Sequence, residues 1–269
     1  MQQFSFAHNI FADGDLYLKG FLGFSLLPSA GARRNASNYE AAVINILGYQ
    51  YAKFVSSRVL MAIGKHRDRK VTIRPRPIPD PDPKIAEVER LYNAEAMATN
   101  ERDAIRKGDP DPAPGKEVWE DKTVGTGLGS DVVITFNPGV YADAMGQAPV
   151  NLVGRSDYAL LHELVHAMAD VSGMRADRMG APAGYDNLEE FTAIVVANVY
   201  RSENGEGYGM LVGGHGGQTL PVLLTGSQAF YNRHSSYMEQ VCLNHGWLAK
   251  ELKQATGISH NPFVYCTGA

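Results

Sequence analysis

The segment His162-Glu163-Leu164-Val165-His166 constrains the fold of this 269-residue chain more than any other feature. In a helix, residues four apart lie on one face, so the imidazoles of His162 and His166 can point at one metal ion. Two imidazoles and a carboxylate on a buried helix are costly to desolvate unless a metal pairs them. The pattern H-E-x-x-H therefore predicts a hydrolytic zinc site, with Glu163 as the general base on the attacking water.

The helix that would carry this motif has recognisable end signals. Ser156 or Asp157 can cap its amino terminus, and Gly173 can end it. Its buried wall would consist of Leu160, Leu161, Leu164, Val165 and Met168. The alternative interpretation is a solvent-facing helix edge with incidental histidines.

A catalytic zinc ion needs a third protein ligand and one open position. The next acidic cluster, Glu189-Glu190, opens a strongly apolar segment that ends at Tyr200 and predicts a second buried helix. Asn187-x-x-Glu190 and Asp186-x-x-Glu189 both match a capping box, so one Glu can cap the helix while the other binds metal. We predict Glu190 as the metal ligand and keep Glu189 as the alternative.

The chain resembles bacterial secreted-effector zinc metallopeptidases, including type III effector proteases and peptidase domains attached to type VI secretion spikes. The resemblance extends over roughly residues 40–210 and rests on segments 59–63, 71–73, 125–138, 162–167 and 185–191. It implies a gluzincin arrangement, in which a later helix supplies the Glu ligand, and Zn²⁺ as the cofactor. The expected fold class is α+β, a zincin-like domain with a small sheet over the metal-binding helix and a helical C-terminal part.

The stretch from Tyr185 to Glu190-Phe191 is similar, more distantly, to the anthrax lethal factor catalytic domain, where a Tyr shortly precedes the Glu ligand. This resemblance implies Glu190, directly before Phe191, as the zinc ligand and Tyr185 as a catalytic stabiliser of the transition state. A turn tyrosine packed on the start of the helix is the alternative for Tyr185. The other donors left open are His215, Tyr200, Tyr208 and His234.

The predicted organisation has an irregular N-terminal arm over residues 1–38 and a catalytic domain over 39–269. A Pro-rich and charged insertion spans 74–115 and includes an exposed helix over 84–107. The strand at 132–136 is the expected edge strand for an extended substrate. The other expected elements are one or two helices over 39–63, a short strand at 71–73, a mobile glycine-rich loop over 205–217, and C-terminal helices around 227–237 and 238–255.

Charge and hydropathy limit the partners and the location. The formal net charge of −4 indicates no polyanion-binding field, and the basic residues between 65 and 76 are typical of a solvated turn, so no nucleic acid partner is expected. No apolar run is long enough to span a membrane, and no secretory signal is visible. We expect export without a classical signal peptide from a cytoplasmic origin, with Cys242 and Cys266 paired if exported or free in a cytosol.

The resemblance implies that the chain hydrolyses peptide bonds in a target-cell protein. Its expected partners are a protein or peptide substrate and, further, a secretion-system component or an immunity protein. Two alternatives stay open. One is a metal-binding protein without catalysis, which would not need Glu163, and the other is a zinc hydrolase of a non-peptide bond.

Overall fold

The computed structural model describes residues 4–7, 9–14, 30–75, 94–107, 125–138, 156–177, 179–207, 210–214 and 218–268. These residues form a mixed sheet packed against helices, an architecture compatible with the predicted α+β class. Within these ranges, no helix combines the length and the apolar character that crossing a membrane requires.

The sheet has five strands in the order β1-β2-β3-β5-β4. The strands are β1 (Phe4–Ala7), β2 (Ile10–Ala12), β3 (Val71–Arg74), β4 (Glu95–Ala98) and β5 (Val132–Thr135). The central pairs β2–β3 and β3–β5 are parallel, whereas both outer pairs, β1–β2 and β4–β5, are antiparallel. The predicted strands at 71–73 and 132–136 are confirmed to within one residue at their ends.

Eight α-helices are present in the described residues. They are α1 (Ala30–Tyr51), α2 (Phe54–Gly64), α3 (Glu101–Ala104), α4 (Ser156–Ser172), α5 (Leu188–Glu203), α6 (Ser227–Arg233), α7 (Ser235–Asn244) and α8 (Gly246–Lys253). Short 3-10 turns follow at Val222–Leu224 and Pro262–Tyr265. The helical segment predicted over 39–63 is therefore two helices, and the first of them begins nine residues earlier than expected.

Helix α4, which carries the H-E-x-x-H motif, lies between the sheet and the other helices. It packs against β4 and β5 on the sheet side and against α1, α2 and α5 elsewhere. The predicted apolar wall is confirmed, because all five of its side chains are buried: Leu160, Leu161, Leu164, Val165 and Met168. The motif helix is thus a core helix, and the solvent-facing alternative is wrong.

Gly173 ends α4, as predicted. Its φ of +67° lies in the left-handed region, and a Cβ built on it would lie 2.4 Å from the carbonyl oxygen of Gly127. The glycine-rich turn before β5 therefore crosses the end of the motif helix at a distance that excludes a side chain. This contact fixes where the helix stops relative to the sheet.

The prediction of an irregular arm over residues 1–38 is wrong for the part described. Strands β1 and β2 lie within it, and α1 begins at Ala30. Each strand has only three or four residues, which is too short for a hydrophobic period to show. Strand β1 pairs with β2, and the pairing of β2 with β3, in which Ile10 is opposite Val71, joins residues about sixty positions apart in sequence.

The exposed helix predicted over 84–107 is also corrected. Residues 95–98 form strand β4, and only Glu101–Ala104 is helical in the described part, 94–107. The residues of β4 are Glu, Ala and Met, which favour helices, so local propensity predicted a helix here. Pairing with β5 overrode that propensity. Strand β5 consequently lies between β3 and β4, and β4 is the edge strand in its place. The remaining residues of the predicted insertion, 76–93 and 108–115, lie outside the described ranges.

The C-terminal region is helical, but it has three helices where two were predicted. The breaks fall at His234 and His245, each of which joins two consecutive helices. Cys242 in α7 and Cys266 after the last 3-10 turn form a disulfide, with Cα atoms 6.4 Å apart. The paired alternative for the two cysteines is therefore the one observed.

Candidate metal centre

Helix α4 directs two imidazole rings at one point. His162 and His166 are four residues apart, one helical turn, and their ring centroids are 4.7 Å apart. Their Nε2 atoms approach to 3.0 Å, and both side chains are largely buried. The i, i+4 spacing alone produces this convergence, as expected from helix geometry.

Helix α5 brings a carboxylate to the same point. The two Glu190 oxygens lie 3.3 Å from Nε2 of His162 and 3.4 Å from Nε2 of His166. The helix begins one residue after Asn187, whose side-chain oxygen accepts a hydrogen bond from the backbone N–H of Glu190 at 2.9 Å. Asn187 thus caps the helix, and the Glu190 carboxylate is directed at the two histidines.

These three side chains could hold a metal ion. One potential ligand atom from each of His162, His166 and Glu190 lies within 4.8 Å of the other two. Two imidazole nitrogens and one carboxylate oxygen form a donor set found in catalytic zinc sites. Ligand atoms at ~2.0–2.2 Å from a four-coordinate zinc ion are ~3.3–3.6 Å apart, close to the spacings found here. The donor chemistry and the spacing both fit such an ion.

The same contacts shift the protonation of the site in the metal-free protein. Burial opposes protonation of His166, but its contacts with Glu189 and Glu190 dominate and raise its pKa well above the usual value. Burial opposes ionisation of Glu190, but its contacts with His162 and His166 lower its pKa well below the usual range. The carboxylates that would attract a metal ion therefore also favour protonation of His166.

Glu189, the alternative ligand, is directed elsewhere. Its Oε1 lies 3.3 Å from Nδ1 of His166, and its Oε2 accepts a hydrogen bond from the backbone N–H of Ala176 at 3.1 Å. The predicted capping role of Glu189 is not observed, because the carboxylate is occupied by these two partners. This contact was not predicted, although the acidic pair at the start of the helix was a signal that both carboxylates could reach the site.

Glu163, the predicted general base, lies beside His162 on α4. Its side chain is 8% exposed and interacts electrostatically with His166. Among the residues that the structure describes, its carboxylate has no hydrogen-bond partner of its own. Its position next to a candidate metal ligand is the one that a general base on an attacking water requires.

Tyr185, the predicted stabiliser, lies in the turn before α5. Its ring packs edge-on against Phe191 at a centroid distance of 4.9 Å and faces His234 at 6.4 Å. Its buried hydroxyl has no hydrogen-bond partner among the residues that the structure describes, and burial raises its pKa to about 12. The packing expected of a turn tyrosine is therefore observed. Packing alone does not explain why the Tyr185 hydroxyl is buried, since buried hydroxyl groups normally have a hydrogen-bond partner.

The other proposed donors have different surroundings. Tyr200 is fully buried, and its hydroxyl donates a hydrogen bond to a carboxylate oxygen of Asp157 at 3.0 Å. This hydroxyl therefore stabilises the core. His234 packs on Phe191, with ring centroids 5.7 Å apart, beside Tyr185. His215 and Tyr208 lie outside the described residues.

The predicted glycine-rich loop over 205–217 is described at residues 205–207 and 210–214, and the second of these parts is tied to the rest of the protein by hydrogen bonds. The buried side chain of Asn198 makes two hydrogen bonds with the backbone of Val212, at 2.7 and 2.8 Å. Gly214 approaches Gly184, next to Tyr185, so closely that a Cβ would lie 2.2 Å from the Gly184 carbonyl oxygen. These contacts fasten the segment to α5 and to the turn that carries Tyr185.

The chain matches no protein-family model, and a comparison with curated proteins gave no match.

Proposed function

We propose that this protein is a zinc-dependent metallopeptidase of the gluzincin type, with a zincin-like fold. The observation that carries the proposal is the convergence of His162, His166 and Glu190 from two helices, with Glu163 next to the first ligand. Metal binding alone would need only the three ligands. The buried Glu163 carboxylate, which makes no hydrogen bond to any described residue, favours hydrolysis over metal storage.

His162, His166 and Glu190 would hold the ion, which when bound would polarise the scissile carbonyl and acidify a water molecule. Glu163 accepts the proton of the attacking water and delivers it to the leaving amine nitrogen. Tyr185 donates its hydroxyl proton in a hydrogen bond to the developing oxyanion. The raised pKa of Tyr185 keeps that hydroxyl protonated at neutral pH.

The substrate would bind as an extended peptide along β4. This strand is the sheet edge next to the motif helix, and among the described strands it pairs on one side only, with β5. An edge strand presents backbone N–H and C=O groups to which a peptide can add as a further strand. Peptide-bond hydrolysis uses this geometry directly, which favours it over hydrolysis of a non-peptide bond.

For the cellular setting we propose a bacterial secreted effector that acts on a target-cell protein. The disulfide between Cys242 and Cys266 supports work outside a reducing cytosol, because disulfides persist in oxidising compartments. A secretion-system component or an immunity protein would be its further partner.

The test compares the wild-type protein with Glu163→Gln. Metal analysis of both should give about one zinc per chain, following from the three-ligand site. Incubation with a peptide library, read by mass spectrometry, should yield new amino termini with the wild type only. The Gln variant should lose at least ~10²-fold of the rate, since general-base catalysis contributes that much or more.

Each other outcome has a definite meaning. Zinc uptake without any cleavage by the wild type would contradict the peptidase and favour a metal-binding protein or a hydrolase of another bond. Equal cleavage by both proteins would remove Glu163 as the base. A folded wild-type protein that takes up no zinc would overturn the metal site.

A further inference from the structure

The Glu189 carboxylate is buried deeply beside the metal centre although it is not one of the three ligands. Its side chain is only 6% exposed, and each of its oxygens has its own partner. Burying a carboxylate is costly unless it is paired, so these contacts must compensate for lost hydration. The helix cap does not require it, because Asn187 performs that role.

The partner of Oε2 belongs to a segment that several hydrogen bonds tie to its neighbours. The backbone N–H of Ala176 is the donor, and Arg175 beside it is bridged to residues 104–106 through hydrogen bonds of 3.1 and 3.3 Å. The Arg175 guanidinium makes two hydrogen bonds to the buried Asp170 carboxylate, at 2.6 and 2.8 Å. Glu189 is therefore held from behind by a segment that is itself fixed to α3 and α4.

The partner of Oε1 determines how His166 presents itself. A carboxylate can only accept a hydrogen bond, so Nδ1 of His166 must carry the hydrogen. In the neutral ring this leaves the lone pair on Nε2, the atom that faces His162 and Glu190. The contact thus selects the tautomer that can bind a metal ion and limits rotation of the ring.

We propose that Glu189 is a positioning residue that orients His166 for the metal ion and increases the basicity of its Nε2. This inference rests on the metal site of the proposed function but not on peptidase activity. It assigns different roles to two adjacent carboxylates on α5. Glu190 binds the ion, while Glu189 supports a ligand from the other side of its ring.

The experiment measures zinc affinity by competition with a chromogenic chelator, using the full chain. Glu189→Gln keeps the shape of the side chain but removes its charge, and it should weaken zinc binding ~10–100-fold, as other supporting carboxylates do. The matched control is Glu203→Gln on the same helix. Glu203 also accepts backbone hydrogen bonds, from Phe54 and Val55 at 2.6 and 2.9 Å. The Glu203→Gln control should lower the melting temperature but leave zinc affinity unchanged.

A second readout needs neither metal nor substrate. Nitrogen NMR of the metal-free wild type, at a pH where the ring is neutral, should show the His166 hydrogen on Nδ1. Glu189→Met, which cannot accept this hydrogen bond, should shift the hydrogen toward Nε2, while Glu189→Gln should retain it on Nδ1.

The proposal would be overturned by wild-type zinc affinity in Glu189→Gln, by an equal loss in Glu203→Gln, or by a wild-type His166 with its hydrogen on Nε2. Complete loss of zinc in Glu189→Gln with retention in Glu190→Gln would also overturn it, because Glu189 would then be the ligand. A protein that binds zinc with the expected dependence on Glu189 but cleaves no peptide would contradict only the peptidase.

Discussion

The side-chain oxygen of Asn187 accepts a hydrogen bond from the backbone N–H of Glu190 at 2.9 Å. This contact begins α5 one residue after Asn187 and sets the direction in which the next side chains leave the helix. Because the Asn supplies the cap, neither glutamate is needed for it. Both carboxylates of the acidic pair are thereby available to the imidazoles of α4.

Removing this cap should weaken both the fold and the metal site. Asn187→Ala should lower the free energy of unfolding by ~1 kcal/mol, the usual cost of losing an N-cap side chain. Thermal and denaturant unfolding of the metal-free protein measure this cost. Asn187→Ser, which can still accept the hydrogen bond, should restore most of the stability. Equal destabilisation by Ala and Ser would contradict the capping role.

Tyr185→Phe should separate activity from stability. Loss of an oxyanion donor should reduce kcat by ~10²–10³-fold with zinc content and KM little changed. The melting temperature should stay the same or rise, because the variant removes a buried hydroxyl that has no hydrogen-bond partner in the described part of the chain.

Tyr200→Phe is the matched control for that experiment. It removes a hydroxyl that donates to Asp157, so the protein should lose ~1–3 kcal/mol of stability and keep its kcat. Normal turnover in Tyr185→Phe would instead show that Tyr185 is not the oxyanion donor. His234, which lies beside the Tyr185 ring, would then be the first residue to substitute in search of the donor.

Zinc affinity should increase with pH beyond the range of an ordinary histidine. The pKa of His166 in the metal-free protein is raised well above 6.5, so at lower pH the metal must displace a proton. The logarithm of the affinity constant should rise by about one per pH unit up to that raised pKa and then level off. Chelator competition at a series of pH values measures the curve.

The Glu189→Gln variant provides the comparison for this titration. The substitution weakens the contact between residue 189 and His166, which is one of those that raise the His166 pKa. The plot of zinc affinity against pH should therefore level off at a lower pH than in the wild type. A wild-type curve that is already flat from pH 6.5 upward would contradict the raised pKa.

Reducing the disulfide should destabilise the protein. Cys242 and Cys266 are 24 residues apart in sequence, and a crosslink that closes a loop of this size contributes about 3 kcal/mol through the unfolded state. Melting temperatures should fall by the same amount after full reduction and in the Cys242→Ser, Cys266→Ser double variant. An unchanged melting temperature in either case would show that the crosslink has no stabilising role.

Two parts of the candidate site follow from the sequence because they depend on local geometry. His162 and His166 share a face because residues four apart in a helix always do. Asn187 caps α5 through a hydrogen bond that spans three residues. The end of α4 at Gly173 also follows from a local backbone preference.

Tertiary structure decided the features that depend on distant partners. Strand β4 formed from residues with helix propensity because the edge of β5 was available to pair with them. The disulfide formed because folding placed the turn after α8 beside α7. Local sequence could not reveal either partner.

The roles of Glu189 and Glu190 show this division most clearly. Local sequence makes them equivalent, since both are glutamates in the first turn of one helix and both match a capping pattern. Adjacent side chains leave a helix about 100° apart, given 3.6 residues per turn. The packing angle of α5 on α4 therefore decided which carboxylate meets Nε2 of His166 and which meets Nδ1, and such an angle arises only from contacts distant in sequence.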